Sequence, residues 1–269
     1  MNDIEKEPGM VPLILRIFNR LSKILRVSIA FCLAFNIISG TAMSGSPFKT
    51  DDPEPVEYKH YEISLASQYS NDKDQGSATL PHVEFNYGLA PNLEFHLLAP
   101  FYYMKQEGQS SQYGYGDTEI GFKYRFIEET PSRPQVATAP LIEIPSGDSS
   151  KGLGNGKAQY YLPLWLQKSW GHWTTYGGGG YWINPGDGNR NWLYLGWQAQ
   201  REITKNLTLG AEIYYNSASK ESIDESKGFT IGAIINFTEH HHLLLSAGQD
   251  VWGPNYFNSY FAYQYTFGP

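Results

Sequence analysis

From residue 58 to residue 269 the chain repeats one unit, a run of alternating apolar and polar residues about a dozen long followed by a break. The clearest run is Leu207-Thr208-Leu209-Gly210-Ala211-Glu212-Ile213-Tyr214-Tyr215. Its odd positions are apolar, and its even ones are small, polar or, at Tyr214, amphipathic. A period of two sends successive side chains to opposite faces of a β-strand. Soluble sandwiches show this alternation in pieces of about 5–6 residues. Runs of about ten or more have the length of a tilted strand that crosses a bilayer.

Twelve segments follow the polar, proline-bearing lead Thr50-Asp51-Asp52-Pro53-Glu54-Pro55. They are 58–70, 78–89, 92–104, 117–129, 134–146, 157–170, 172–184, 191–203, 206–218, 228–238, 241–251 and 257–267. The breaks between them alternate in length. Ala90-Pro91, Thr130–Arg133, Gly171, Thr204-Lys205 and Glu239-His240 are short. Asn71–Ser77, Lys105–Gly116, Gly147–Gly156, Pro185–Arg190, Ser219–Lys227 and Trp252–Tyr256 are longer and mostly rich in Gly, Ser and Asp. Bacterial outer-membrane barrels have an even strand number, short periplasmic turns and longer outer loops. Six long and five short connections place both termini in the periplasm. The expected fold is therefore all-β, a 12-stranded antiparallel transmembrane β-barrel over 58–269. Apolar residues are only 41% of the chain while aromatics reach 15%, with 20 Tyr and 7 Trp. That balance suits a polar interior with aromatic girdles, although a Tyr-rich soluble β-protein shares it.

The start of the chain has the layout of a secretory signal peptide. Arg16, Arg20, Lys23 and Arg26 precede the stretch Val27–Ile38, apolar except for Ser28 and Asn36, and small residues follow in Ser39-Gly40-Thr41-Ala42-Met43-Ser44. Twelve residues are too few to span a bilayer as a helix. The expected organisation is a signal peptide at 1–44 (basic region 1–26, apolar region 27–38), a periplasmic lead at 45–57 and the barrel at 58–269. An uncleaved anchor or amphipathic helix is the alternative. The one cysteine, Cys32, falls inside the leader, so a mature chain would have no disulfide, thiol catalysis or Cys-zinc site. Residues 1–44 carry five basic and three acidic groups, which leaves −9 on the rest of a chain whose total is −7. Such an acidic surface argues against nucleic-acid binding, which needs Lys and Arg to neutralise phosphates.

Alternation also assigns faces. In the strand from Asp117, Ile120, Phe122, Tyr124 and Phe126 would meet lipid, leaving Glu119, Lys123 and Arg125 to the lumen. The same register turns Glu62, Glu84, Glu94, Glu143, Glu202 and Glu212 inward, together with His60, His82 and His96. A charge facing lipid costs up to about 2–4 kcal/mol for Arg or Lys at mid-membrane, so consistent inward placement is a test that the register passes. The last strand puts Phe261, Tyr263, Tyr265 and Phe267 on one face, and the chain nearly ends on an aromatic.

Several motifs resemble the outer-membrane family named for the MetA pathway of phenol degradation, whose members are often called transporters. They are Pro47-Phe48-Lys49-Thr50-Asp51-Asp52-Pro53, Gly114-Tyr115-Gly116-Asp117 leading into Lys123-Tyr124-Arg125-Phe126, Ile144-Pro145-Ser146-Gly147-Asp148 with Gly152-Leu153-Gly154, and Leu162-Pro163-Leu164. The resemblance covers most of the chain from about 47 onward. It implies uptake of aromatic compounds, although fold does not fix function.

Glu119, Lys123 and Arg125 are the densest lumenal charges. They form either a charge-selective constriction or a salt-bridge network filling a narrow barrel, and the network is the preferred reading. Eight strands are just filled by side chains while 16–18 leave an aqueous channel, so twelve leave a narrow pore and a plugged lumen both open. His240-His241-His242 would not converge on a metal, because His241 and His242 point to opposite faces; a hydrated turn fits better. Gly177–Gly180 is no phosphate loop, since neither helix nor Lys follows. Its missing side chains would admit bulky lumenal neighbours or let the strand bend. Gly147–Gly156 lacks the Gly-Lys-Ser/Thr ending and suits a flexible outer loop.

The expected function is an outer-membrane channel for passive passage of small molecules, aromatic or hydrophobic ones included, without cofactor or metal. Its expected partners are outer-membrane lipid and lipopolysaccharide, a small-molecule permeant and the barrel-assembly machinery. A structural or ligand-binding barrel without an open pore is the alternative. A barrel enzyme ranks lower because no Ser-centred motif such as G-x-S-x-G appears, and a surface adhesin or receptor would have rather short loops.

Overall fold

A computed structural model describes residues 46–71 and 75–269; the leader read at 1–44 lies outside them. The described residues form twelve antiparallel strands, each hydrogen-bonded to its sequence neighbours. They are β1 (Tyr61–Asn71), β2 (Gln75–Ala90), β3 (Leu93–Gln106), β4 (Gln112–Tyr115 with Thr118–Ile127), β5 (Gln135–Thr138 with Leu141–Ile144), β6 (Gln159–Trp170), β7 (Trp173–Ile183), β8 (Trp192–Thr204), β9 (Leu207–Asn216), β10 (Ser226–Asn236), β11 (His241–Trp252) and β12 (Phe257–Phe267). β12 also pairs with β1, from Tyr61 opposite Phe267 to Asn71 opposite Phe257, and so closes the barrel. Closure removes the edges that would otherwise leave unpaired backbone in lipid.

Two strands are interrupted. β4 breaks at Gly116-Asp117 and β5 at Ala139-Pro140, where proline cannot donate to the ladder. In β2 the register shifts between Thr79 and His82. Both of those residues stay buried while Leu80 is exposed, so the bulge preserves the inward set.

The sides are inverted relative to a soluble protein. Leu65, Phe122, Ile213, Ile231 and Phe261 stand exposed on the outer face, whereas Glu62, Glu94, Lys123, Gln198, Glu212 and Gln264 are buried inside. An apolar surface this extensive needs lipid rather than water around it. Rings cluster near the tight-turn end of the outer face, as where Tyr61 stacks on Tyr87 and Phe267.

The lead does not occupy the periplasm as expected. Residues 46–56 run inside the barrel, because its inner wall supplies the acceptors and the space that this polar segment needs. Val56 N–H donates to Glu94 Oε2 at 2.8 Å. The N–H groups of Lys49 and Thr50 donate to the two oxygens of Glu212 at 3.0 and 2.9 Å. Gly210 and Gly232 face each other across β9 and β10. A Cβ on either would lie 2.9 Å from the Phe48 ring. At Gly196 a Cβ would lie 2.0 Å from the Thr50 hydroxyl. Three inner-face glycines thus form the notch in which the lead is seated.

Candidate functional site

The site is the lumen and the segment crossing it. On the β3–β4 wall, Lys123 Nζ lies 3.0 Å from Asp51 and 3.9 Å from Asp52, and Arg125 pairs with Glu54. Gln135 of β5 donates to the same Glu54 at 2.8 Å. On the opposite wall the Tyr194 and Thr50 hydroxyls are 2.9 Å apart, and the Ser46 and Tyr176 hydroxyls 2.5 Å apart. The Ser246 hydroxyl of β11 donates to the Pro47 carbonyl at 2.5 Å. The lead therefore bridges facing walls and narrows the passage at mid-barrel.

The nine residues expected to line the lumen divide by position. Glu62, Glu94, Lys123 and Glu212 are buried inside. Glu84 and Glu119 are partly exposed and flank His96 at 3.7 and 4.0 Å. Glu143 accepts from Gln159 at 2.9 Å. Arg125 is taken up by Glu54 and Asn92. Glu202 shares the inner register but sits at the rim, half exposed and 3.3 Å from His172. Lys123 and Arg125 pair with carboxylates of the lead, while Glu119, grouped with them in the sequence, lies beside His96 instead.

Two lumenal cavities flank the lead. One, of about 280 Å³, lies toward the long loops; the other, of about 220 Å³, is lined by Glu84, Glu94, His96, Glu119 and Lys123. Among the described residues, only Lys49 and Tyr260 line both. Ala66, Ile234, Leu244 and Ala262 pack as an apolar row across β1, β12, β11 and β10. A uniformly polar inner register did not anticipate it. Nor did sequence reasoning find the ring stack Tyr161–Trp182–Trp192 on the inner face near the long loops, with centroids 4.7 and 5.5 Å apart. Gly180 admits it, since a Cβ there would lie 2.3 Å from the Tyr161 ring. Gly178 takes φ +151°, and a Cβ there would lie 2.1 Å from the Leu164 carbonyl oxygen of the neighbouring strand.

The loop 147–156, expected to be flexible, is folded around Asp117. This carboxylate is 2% exposed and accepts from Gly147 N at 2.8 Å and Asn155 N at 2.5 Å. Leu153 is buried against Gly114. Two motifs distant in sequence, Gly114–Asp117 and Ser146–Gly154, thus meet in space. Outside the membrane, hydrogen bonds from Ser150 and Lys151 hold the Asp148 carboxyl down at about 2. Asp117→Ala should release the loop, since each hydrogen bond to a charged group contributes about 1.5–3 kcal/mol. Limited proteolysis should then cut within 147–156; an uncut variant would refute the staple.

His242 is buried between Asn236 and Thr266 at 3.1 Å each, while His241 reaches Tyr263. Among the described residues no group of His, Cys, Asp and Glu could hold a metal ion.

The sequence profile of the family described as "Putative MetA-pathway of phenol degradation" matches residues 66–267. The chain belongs to this family. Within the phenol-degradation family's barrel, the lead motif at 47–53 is the segment seated in the lumen. Among solved structures the chain is similar to the COG4313 outer membrane channel from Pseudomonas putida F1 (TM-score 0.68, 14% identity, 80% of this chain and 98% of that one). It is also similar to the KdgM porin in complex with oligogalacturonate (TM-score 0.52, 12% identity, 76% and 99%). A third is the translocator domain of the autotransporter NalP from Neisseria meningitidis (TM-score 0.55, 8% identity, 78% and 90%). No curated protein matches the chain. At these identities the similarity establishes the fold, an outer-membrane barrel.

Proposed function

We propose that this family member is an outer-membrane channel that passes small molecules passively, with both termini in the periplasm and the lead acting as its internal plug. The observation that carries the reading is the pair of lumenal cavities separated by Lys49 and Tyr260. A filled barrel would leave no such spaces along its axis. The inner-face stack Tyr161–Trp182–Trp192 favours aromatic solutes, because rings gain from offset stacking beyond the area they bury. The neighbours' descriptions as channel and porin support the same class. The apolar outer face would be held in lipid and lipopolysaccharide, with insertion by the barrel-assembly machinery through the aromatic-ended last strand.

Planar-bilayer recording of the purified protein tests the proposal. Tyr260→Ala should join the two cavities and raise single-channel conductance. Absence of conductance, with no uptake defect on deletion, would replace the channel by a binding or structural barrel, the reading favoured by the lead crossing between facing walls. Labelling by a serine-hydrolase probe would restore the enzyme alternative.

A further inference from the structure

We infer that Lys49 of the lead occupies a wall site for the ammonium group of an arylalkylamine, and that such a solute enters by taking the lysine's place. This deepens the channel reading by assigning a charge to its aromatic solute, and rests on that reading for the site's place on the permeation path. The site is built across three strands. Tyr214 of β9, Gly228 of β10 and Asp250 of β11 lie opposite one another in one row. Gly228 leaves the room, since a Cβ there would lie 2.4 Å from the Tyr214 ring. The Tyr214 hydroxyl reaches across β10 and donates to Asp250 Oδ1 at 2.8 Å. The backbone N–H of Tyr256 donates to the other oxygen at 3.2 Å. The ring is thereby fixed with one face turned to the lead. Glu212, two residues back on the same strand, is buried on the same inner side.

The telling group is the ammonium already there. Lys49 holds its Nζ 4.1 Å from the centroid of the Tyr214 ring, and the charges of Asp250 and Glu212 attract it. An aromatic face backed by negative charge is the chemistry that recognises ammonium groups. Lys49 comes from the lead and the other three groups from the wall, so the site is complete without the lysine. Were the lead to leave, Glu212 would lose the two backbone N–H donors that satisfy its oxygens. A buried charge stripped of its partners is costly, and an ammonium supplies both the opposite charge and N–H donors. Lys49 lines both lumenal cavities, so a solute in either one meets it. In the cavity toward the long loops Phe48, Tyr102 and Tyr260 offer rings beside it, which suits an aromatic group a short chain away from the nitrogen. A neutral ring gains nothing from the two carboxylates, and an anion is repelled by them.

The test uses the full-length protein and titration calorimetry, with phenethylammonium as the probe and phenethyl alcohol as its uncharged analogue. The ammonium should bind more tightly than the alcohol. Lys49→Met, which keeps the stem, removes the resident ammonium and changes no wall residue, should raise phenethylammonium affinity about tenfold, the order of a desolvated cation–π contact. Affinity for the alcohol should stay constant. Tyr214→Leu should lower phenethylammonium affinity below wild type, and Tyr214→Phe, which keeps the ring, should retain more of it. Heat-modifiable gel mobility verifies that each variant is folded. Equal phenethylammonium affinity in wild type and Lys49→Met, or equal affinity for the two probes, would overturn the inference, and a barrel that conducts nonetheless would leave the channel reading intact. A tenfold gain in Lys49→Met, in a barrel that never conducts, would support the site and overturn the channel.

Discussion

Replacing Glu212 by alanine should raise single-channel conductance severalfold, approaching the value of a variant that lacks residues 46–56. Glu212 is 2% exposed and uses both carboxylate oxygens on consecutive backbone N–H groups of the lead. Each such charge-assisted bond contributes about 1.5–3 kcal/mol. Losing both weakens docking by about 3 kcal/mol or more, beyond a hundredfold in the docked ratio at about 1.4 kcal/mol per tenfold. Glu212→Gln, which keeps acceptor oxygen but no charge, should fall between. Bilayer recordings check the series. Equal conductance in wild type and the deletion variant would show that the lead does not limit passage.

The barrel was legible because lipid outside and water inside impose opposite demands on alternate residues. Ile213 and Glu212 are adjacent in sequence, and one is 68% exposed while the other is 2%. That contrast survives in any single strand, so local pattern suffices to read it. The plug was not legible for the complementary reason. Lys49 meets Glu212 across 163 residues, and no periodicity carries a contact of that span. Its receptor left a faint signal, the inner-face glycines Gly196, Gly210 and Gly232, but these form a notch only once β8, β9 and β10 are in register. Alternation turns Lys123 and Arg125 inward, whereas their partners Asp51, Asp52 and Glu54 read only as part of a polar periplasmic lead. Asp117 was hidden in the same way: a carboxylate at a strand start looks like turn chemistry until Gly147 and Asn155 are brought to it.

Lys123→Glu separates a plug anchor from a charge filter. Lys123 is 6% exposed and sits between Asp51 and Asp52. Breaking a buried ion pair costs about 3–5 kcal/mol because a charge is left uncompensated, and the substitution adds a like charge beside it. The lead should leave the lumen, and conductance should rise toward the deletion value. Adding Asp52→Lys in the same chain restores opposite signs across the contact and should lower conductance again, the non-additivity expected of residues that touch. Arg125→Glu should act in the same direction but less, since Arg125 and Glu54 are each about one-fifth exposed and solvent screens their attraction. A charge filter predicts a different pattern: the reversal potential in a salt gradient would move toward cations, conductance would stay constant, and Asp52→Lys would not rescue. Measuring both quantities on the same folded variants decides between them, because only expulsion of the lead couples a larger pore to a change at residue 52.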